Sequence, residues 1–216
     1  MGKLQRADAT ESRRPGRVER RRARVRERIL DAAEELTQSR GVEVVTIEDI
    51  TEAADVARRT FYHYFESKND VVVPIARART RELNRRIDRA VEGVEDPAEV
   101  ISIALRHTLR SMPEDPLCAW FIFRSGLPQQ RLREGIGESG ERDVNRGVKT
   151  GRFAVANEAA TGSLLSGAVI GALSGRLEGI LDDDDLDDAV ECLLRLLGVP
   201  LDEAAEIAHR PLPPLP

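Results

Sequence analysis

At 216 residues the chain has room for one or two domains, since domains usually run to roughly 100–200 residues. Hydrophobic residues make up 41% and charged residues 33%, enough apolar material for a packed core and too much for general disorder. The net charge of −5 conceals a basic start: the first 28 residues carry 11 Lys and Arg against 4 Asp and Glu, whereas residues 69–216 carry 18 against 25. A basic end on an acidic body suggests that one end meets a polyanion, the bland alternative being a solvated arm with no partner. Two cysteines, Cys118 and Cys192, form no C-x-x-C pair and exclude a disulfide scaffold and a structural zinc site. The N-terminus shows no signal-peptide pattern and no apolar run reaches membrane length, so the expectation is a soluble cytoplasmic protein with no membrane partner.

Residues 1–22 read as a disordered basic arm, with Arg13, Arg14 and Arg17 followed by the run Arg20, Arg21, Arg22. A helix follows, because Val25, Ile29, Ala32, Ala33 and Leu36 form one apolar stripe that Gly41 stops. Thr46-Ile47-Glu48-Asp49 starts a second, short helix: a hydroxyl positioned to accept a helix N–H, then acids in the positive first turn. A third short helix carries residues 58–65. On a helical wheel Arg58, Arg59, Tyr62 and His63 share one face, while Thr60, Phe61 and Tyr64 lie on the other. Two short helices, the second with an exposed polar and aromatic face, describe a helix-turn-helix. Arginine suits guanine edges and phosphate, and Tyr and His suit phosphates or thymine methyls.

The rest of the chain reads as all helix. A long helix spans residues 70–92, with Val72, Ile75, Leu83, Ile87 and Val91 on its inner side. Asp96-Pro97 caps another, broken by the segment from Pro113 to Pro116, and residues 117–123 form a short aromatic piece. Residues 127–151 are polar and helical in their second half. Asn157 caps a helix to about Leu181, the acidic link 182–185 follows, and residues 186–197 and 201–208 give the last two helices before an extended tail, residues 211–216.

Residues 24–72 resemble the TetR family of bacterial transcriptional regulators. The likeness rests on Ile29-Leu30-Asp31-Ala32-Ala33, Gly41, the run Val45 to Ile50, Ala53-Ala54, the run Thr60 to Phe65, and Ser67-Lys68. It implies an all-α protein in two parts: a three-helix DNA-binding domain at residues 23–68, and a helical ligand-binding and dimerisation domain at residues 69–210. It also implies a homodimer, a double-stranded operator and a small-molecule effector it does not name. Carried over by position, Thr46, Tyr62 and Lys68 match phosphate-contacting sites, and Arg58, Arg59 and His63 match positions that meet bases or adjacent backbone; Thr60 completes the candidate DNA-binding set. Two departures stand out: the turn residue, often Gly in this family, is Asp55, and the usual capping Ser is Ala57. Asp tolerates the left-handed conformation better than most residues.

Ser163, Gly167, Gly171 and Gly175 stand four apart and make a small-residue strip along which two helix backbones can meet, within the core or across a dimer. The resemblance favours the dimer, with Leu186, Val190, Leu193 and Leu197 on the second interface helix. Trp120, Phe121 and Phe123, with Arg106, His107 and Arg110 on the preceding helix, are either a ligand pocket or core and surface. The run Gly135-Ile136-Gly137-Glu138-Ser139-Gly140 fits G-x-G-x-x-G but follows no strand, which makes it a loop rather than a dinucleotide fingerprint. No catalytic motif is present, three scattered histidines suggest no metal cluster, and the proline-rich tail reads as coil before docking motif. The expectation is a ligand-responsive repressor, neither enzyme nor cofactor-binding. Its rival is a helical small-molecule-binding or interaction protein without sequence-specific DNA binding.

Overall fold

The computed structural model describes residues 16–132 and 138–216. Arg13, Arg14 and the start of the Gly135–Gly140 run lie outside the described residues. The elements are α1 (Arg17–Arg40), α2 (Ile47–Ala53), α3 (Arg58–Tyr64), α4 (Lys68–Ala90), α5 (Pro97–Glu114), α6 (Pro116–Arg124), α7 (Pro128–Leu132), α8 (Glu138–Lys149), α9 (Glu158–Leu177), α10 (Asp185–Leu196) and α11 (Leu201–Ala208). Among the described residues there is no strand. None of the described helices is long and apolar enough to cross a membrane.

The N-terminal unit packs α1, α2 and α3 around Ile29, Ala33, Ile50 and Phe61, all fully buried. Residues 17–22, expected in a disordered arm, are instead the first turns of α1. The Glu19 carboxylate accepts from the Gly16 N–H at 2.6 Å, and arginine is a good helix former, so the helix starts before its apolar stripe does. A capping box at Thr46 and Asp49 opens α2, and a second one at Ser67 and Asp70 opens α4.

The larger unit centres on α5, which packs against α4, α6, α8, α9, α10 and α11. The break expected between Pro113 and Pro116 falls at Asp115: Pro113 sits in the last turn of α5, which runs on to Glu114. Asp115 then closes α5 and starts α6, its carboxylate accepting from the Leu117 N–H at 2.9 Å and the Cys118 N–H at 3.3 Å. Glu138-Ser139-Gly140, expected in a loop, opens α8. Arg152 staples three regions, with Nε 2.7 Å from the α5 cap Asp96 and Nη2 2.8 Å from Glu203 of α11. Helix α4 joins the two units: Val71 and Val72 are buried at its start, while its second half packs on α5.

Candidate nucleic-acid interface and ligand cavity

The short link between α2 and α3 turns because Asp55 adopts φ 49°, the left-handed conformation usually left to glycine. Arg28 of α1 holds this turn: its guanidinium donates to the Ala54 carbonyl and, at 2.7 Å, to the Asp55 carbonyl. No local sequence signal marks Arg28, one arginine among many in this stretch. Phe61 and Phe65 anchor α3, with 0% and 5% exposure and ring centroids 5.6 Å apart. That anchoring leaves Arg58, Arg59, Tyr62 and His63 exposed along a single face, while Thr60 and Tyr64 are half-buried toward the body.

The exposed groups are partly pre-ordered. Arg58 pairs with Glu48 of α2 and donates to the Tyr62 hydroxyl at 3.4 Å, contacts that raise its already high pKa. Arg59 has no partner among the described residues. Thr46 and Lys68 bind the fold itself. The Thr46 hydroxyl donates to Asp49 at 2.6 Å and accepts from its N–H at 3.1 Å. The Thr46 hydroxyl and the Thr46 N–H both donate to the Asp49 carboxylate and, with Arg40 behind them, pull it down to about 2. Lys68 Nζ donates to the Val42 and Val45 carbonyls at 2.8 and 2.9 Å, tying the start of α4 to the connector before α2.

A cavity of about 550 Å³ opens in the larger unit. Its walls come from α4 (Asn84, Ile87), α5 (Ile101, Leu105), α8 (Val144, Val148) and α9 (Leu165, Val169), with Val91 just past the end of α4. None of the six residues expected to form a pocket lines it. Arg106 is 6% exposed and forms a two-pronged pair with Asp187 of α10, at 2.8 and 3.2 Å. Arg110 joins the same carboxylate at 2.8 Å. His107 Nε2 meets the Pro213 carbonyl at 2.9 Å, and burial pushes its imidazole pKa down. Phe121 is fully buried, with the Arg131 guanidinium 5.3 Å from its ring centre, and Trp120 and Phe123 pack half-buried against the core. The polar groups are structural staples and the aromatics are core.

The strip on α9 is open. A Cβ at Gly167 or Gly171 would meet nothing within 4 Å, and Ser163 is exposed. Gly175 is tighter, 3.0 Å from Leu181 Cγ. The α10 residues expected opposite it point the other way: Leu186, Val190 and Leu197 are 0% exposed and Leu193 4%, all in the subunit's own core. An apolar stripe marks the buried face of a helix without saying what covers it, and here the subunit does. The outer face of α10 carries Ala189, Cys192 and Leu196, which border a groove with Ala168 and Gly171 of α9. Also on α10, Asp188 and Glu191 meet His209, their ligand-type atoms within 4.8 Å of one another, a grouping that three scattered histidines do not suggest.

A compact three-helix unit presenting one arginine-rich helix face, joined through a shared helix to a body with its own cavity, defines a helix-turn-helix DNA-binding regulator. Residues 29–74 match the family described as bacterial regulatory proteins, tetR family, and residues 96–210 match the tetracyclin repressor-like C-terminal domain. The chain belongs to the TetR family. Its structure is similar to that of RolR in complex with the ligand resorcinol, with a TM-score of 0.80 and 31% identity over 91% of this chain and 99% of that one. Among curated sequences it is 36% identical over 96 residues to an uncharacterized HTH-type transcriptional regulator of Mycobacterium tuberculosis (strain ATCC 25618 / H37Rv), covering 44% of this chain and 48% of that relative. It is 38% identical over 93 residues to the HTH-type transcriptional repressor KstR of Rhodococcus jostii (strain RHA1), covering 43% and 42%. The chain thus spans about half the length, or less, of these curated relatives.

Proposed function

We propose that this chain is a ligand-responsive transcriptional repressor that binds a near-palindromic operator as a homodimer and leaves it when a small molecule fills the cavity. One observation carries the reading: α4, whose first turn is bonded to the DNA-binding unit through Lys68, also lines the 550 Å³ cavity through Asn84, Ile87 and Asp88. A ligand that prefers one position of α4 therefore changes the fit of the two α3 helices to successive major grooves. Arg58 and Arg59 read base edges, Tyr62 and His63 position the helix on the backbone, and Thr46, Thr60 and Lys68 lie at the margins of the contact. The dimer forms through the open α9 strip and the outer face of α10. RolR carries resorcinol, and a compound of that size would fit here with room to spare. Such a regulator works in the cytoplasm, where the DNA is.

Selection from sheared genomic DNA with purified full-length chain, followed by titration at several salt concentrations, tests the reading. It expects a palindromic site bound far more tightly than random DNA, with a steep salt dependence. Equal affinity for selected and random DNA overturns it.

A further inference from the structure

We infer that the effector is an uncharged molecule with an apolar frame and at least two hydroxyl-type hydrogen-bond donors, gripped between Thr108 and the Asn84–Ser139–Asp88 chain. This rests on the cavity being the effector site and adds the chemistry that the site selects.

The first observation is Thr108. It is 3% exposed, lines the cavity from α5, and its hydroxyl makes no hydrogen bond to any described residue. Buried hydroxyls are nearly always bonded, and a helical threonine usually satisfies itself on a carbonyl of the preceding turn, as Thr80 does on Ala76 at 2.9 Å. A hydroxyl left open toward a cavity is held ready for what enters it.

The second is the sign of the lining. Asp88, Glu141, Asp143 and Glu158 border the cavity, and among its described lining residues there is no Lys, Arg or His. An anion would sit among carboxylates with no cation facing it. Asp88 and Asp143 share the single charge of Arg142, at 3.4 and 3.2 Å, and Glu141 and Glu158 are exposed to solvent, so a cationic ligand would compete with that arginine at the first pair and with water at the second. The described lining also holds no aromatic ring to receive a cation. Neutral ligands remain.

The third is the polar chain across α4 and α8. Asn84 Nδ2 donates to Ser139 Oγ at 3.2 Å, and Ser139 Oγ donates to Asp88 Oδ2 at 3.0 Å. The chain ends in a carboxylate that only accepts, and the Asn84 carbonyl oxygen adds a second acceptor. Acceptors call for donors on the ligand, and hydroxyl groups supply them without charge.

The test screens full-length wild-type and Thr108→Val chains against size-matched fragments in four classes: neutral compounds with two hydroxyls, neutral compounds without donors, carboxylates and amines. Thermal shift and ligand-observed NMR read binding. Threonine to valine keeps the shape, so folding is preserved, and a Ser139→Ala chain gives an independent second variant. Hits concentrated among the dihydroxy compounds, each weakened roughly 5- to 10-fold by Thr108→Val through one lost hydrogen bond, support the inference. Hits concentrated in any other class, or dihydroxy hits indifferent to both variants, overturn it while leaving the cavity as the effector site. No hit in any class overturns the cavity itself as that site.

Discussion

Replacing Gly167 by leucine should separate the fold of one subunit from the association of two. Within the subunit a side chain there meets nothing within 4 Å. Leucine also favours the helix over glycine by roughly 0.5–1 kcal/mol, so the lone subunit should be slightly stabilised. Across a two-fold axis the same substitution occurs twice, and overpacking costs about 1–3 kcal/mol each time, or about 2–6 kcal/mol per dimer. At about 1.4 kcal/mol per decade, the dimer Kd rises roughly 30-fold to 20,000-fold. Sedimentation velocity reads the association, urea unfolding at low concentration reads the fold, and alkylation of exposed Cys192, which borders the groove at Ala168 and Gly171, reads exposure of the face. Gly147 is the contrasting control, because a Cβ there would lie 2.1 Å from the Phe153 ring and must destabilise the subunit. A Gly167→Leu chain that stays dimeric with full operator affinity would refute the interface, as would one whose subunit fold is weakened like that of Gly147→Leu.

Arg59→Ala should weaken operator binding by about 1–3 kcal/mol with little effect on random DNA, measured by fluorescence anisotropy on both. Lys68→Met should instead lower stability by roughly 1–3 kcal/mol in urea, because the Val42 and Val45 carbonyls lose their donor, and should weaken all DNA alike. Asp187→Asn leaves the buried Arg106 guanidinium without its counter-charge and should cost about 3 kcal/mol, lowering Tm by about 6–12 °C. The pair Arg106→Met with Asp187→Leu should recover most of that loss in the same melt. Asp49 titrates at about 2 when folded against 3.8 unfolded, so its contribution is complete above pH 3.8 and disappears as pH falls through about 2. The acid limb of unfolding should flatten in Asp49→Asn, and an unchanged limb would show that other carboxylates set it.

What could be read from the sequence was what local periodicity encodes. The split of α3 into an exposed Arg58, Arg59, Tyr62, His63 face and a buried Phe61 follows from the helical period alone, and the caps at Thr46, Asp96 and Asn157 follow from side-chain oxygens placed to accept the first helical N–H groups. Asp55 carried its own warning as a non-glycine at a turn and does adopt a positive φ. The cavity left no such trace. Its walls are aliphatic residues from helices far apart in the chain, so no window of sequence contains it, whereas the conspicuous Trp120-Phe121-Ile122-Phe123 cluster is packing. Charge misled for a similar reason: Arg106 and Arg110 looked available because their partner, Asp187, lies some 80 residues later.

In the proposed reading α4 converts binding into release, and its contacts decide which ligand interactions matter. At about 1.5 Å per residue its 23 residues span roughly 34 Å, from the Lys68 tie at the DNA-binding unit to the cavity wall at Asn84, Ile87 and Asp88. Midway, Arg79 bonds Asp115 at 2.7 Å and Glu34 of α1 at 3.3 Å, so a shift of α4 is felt at once by α1. Helix α5 is anchored differently, to α10 through Arg106 and Asp187 and to α11 through Ser102, and a ligand bonded only to Thr108 would sit in the cavity without favouring either position of α4. A 100-fold loss of operator affinity requires about 2.7 kcal/mol of preference for the released state. One hydrogen bond is worth about 1 kcal/mol, so the polar contact to the Asn84–Ser139–Asp88 chain must be joined by apolar burial against Ile87 and Val91 that is better in one position of α4 than in the other. Contacts to α5 then set how tightly the effector binds, and contacts to α4 set how much its binding does.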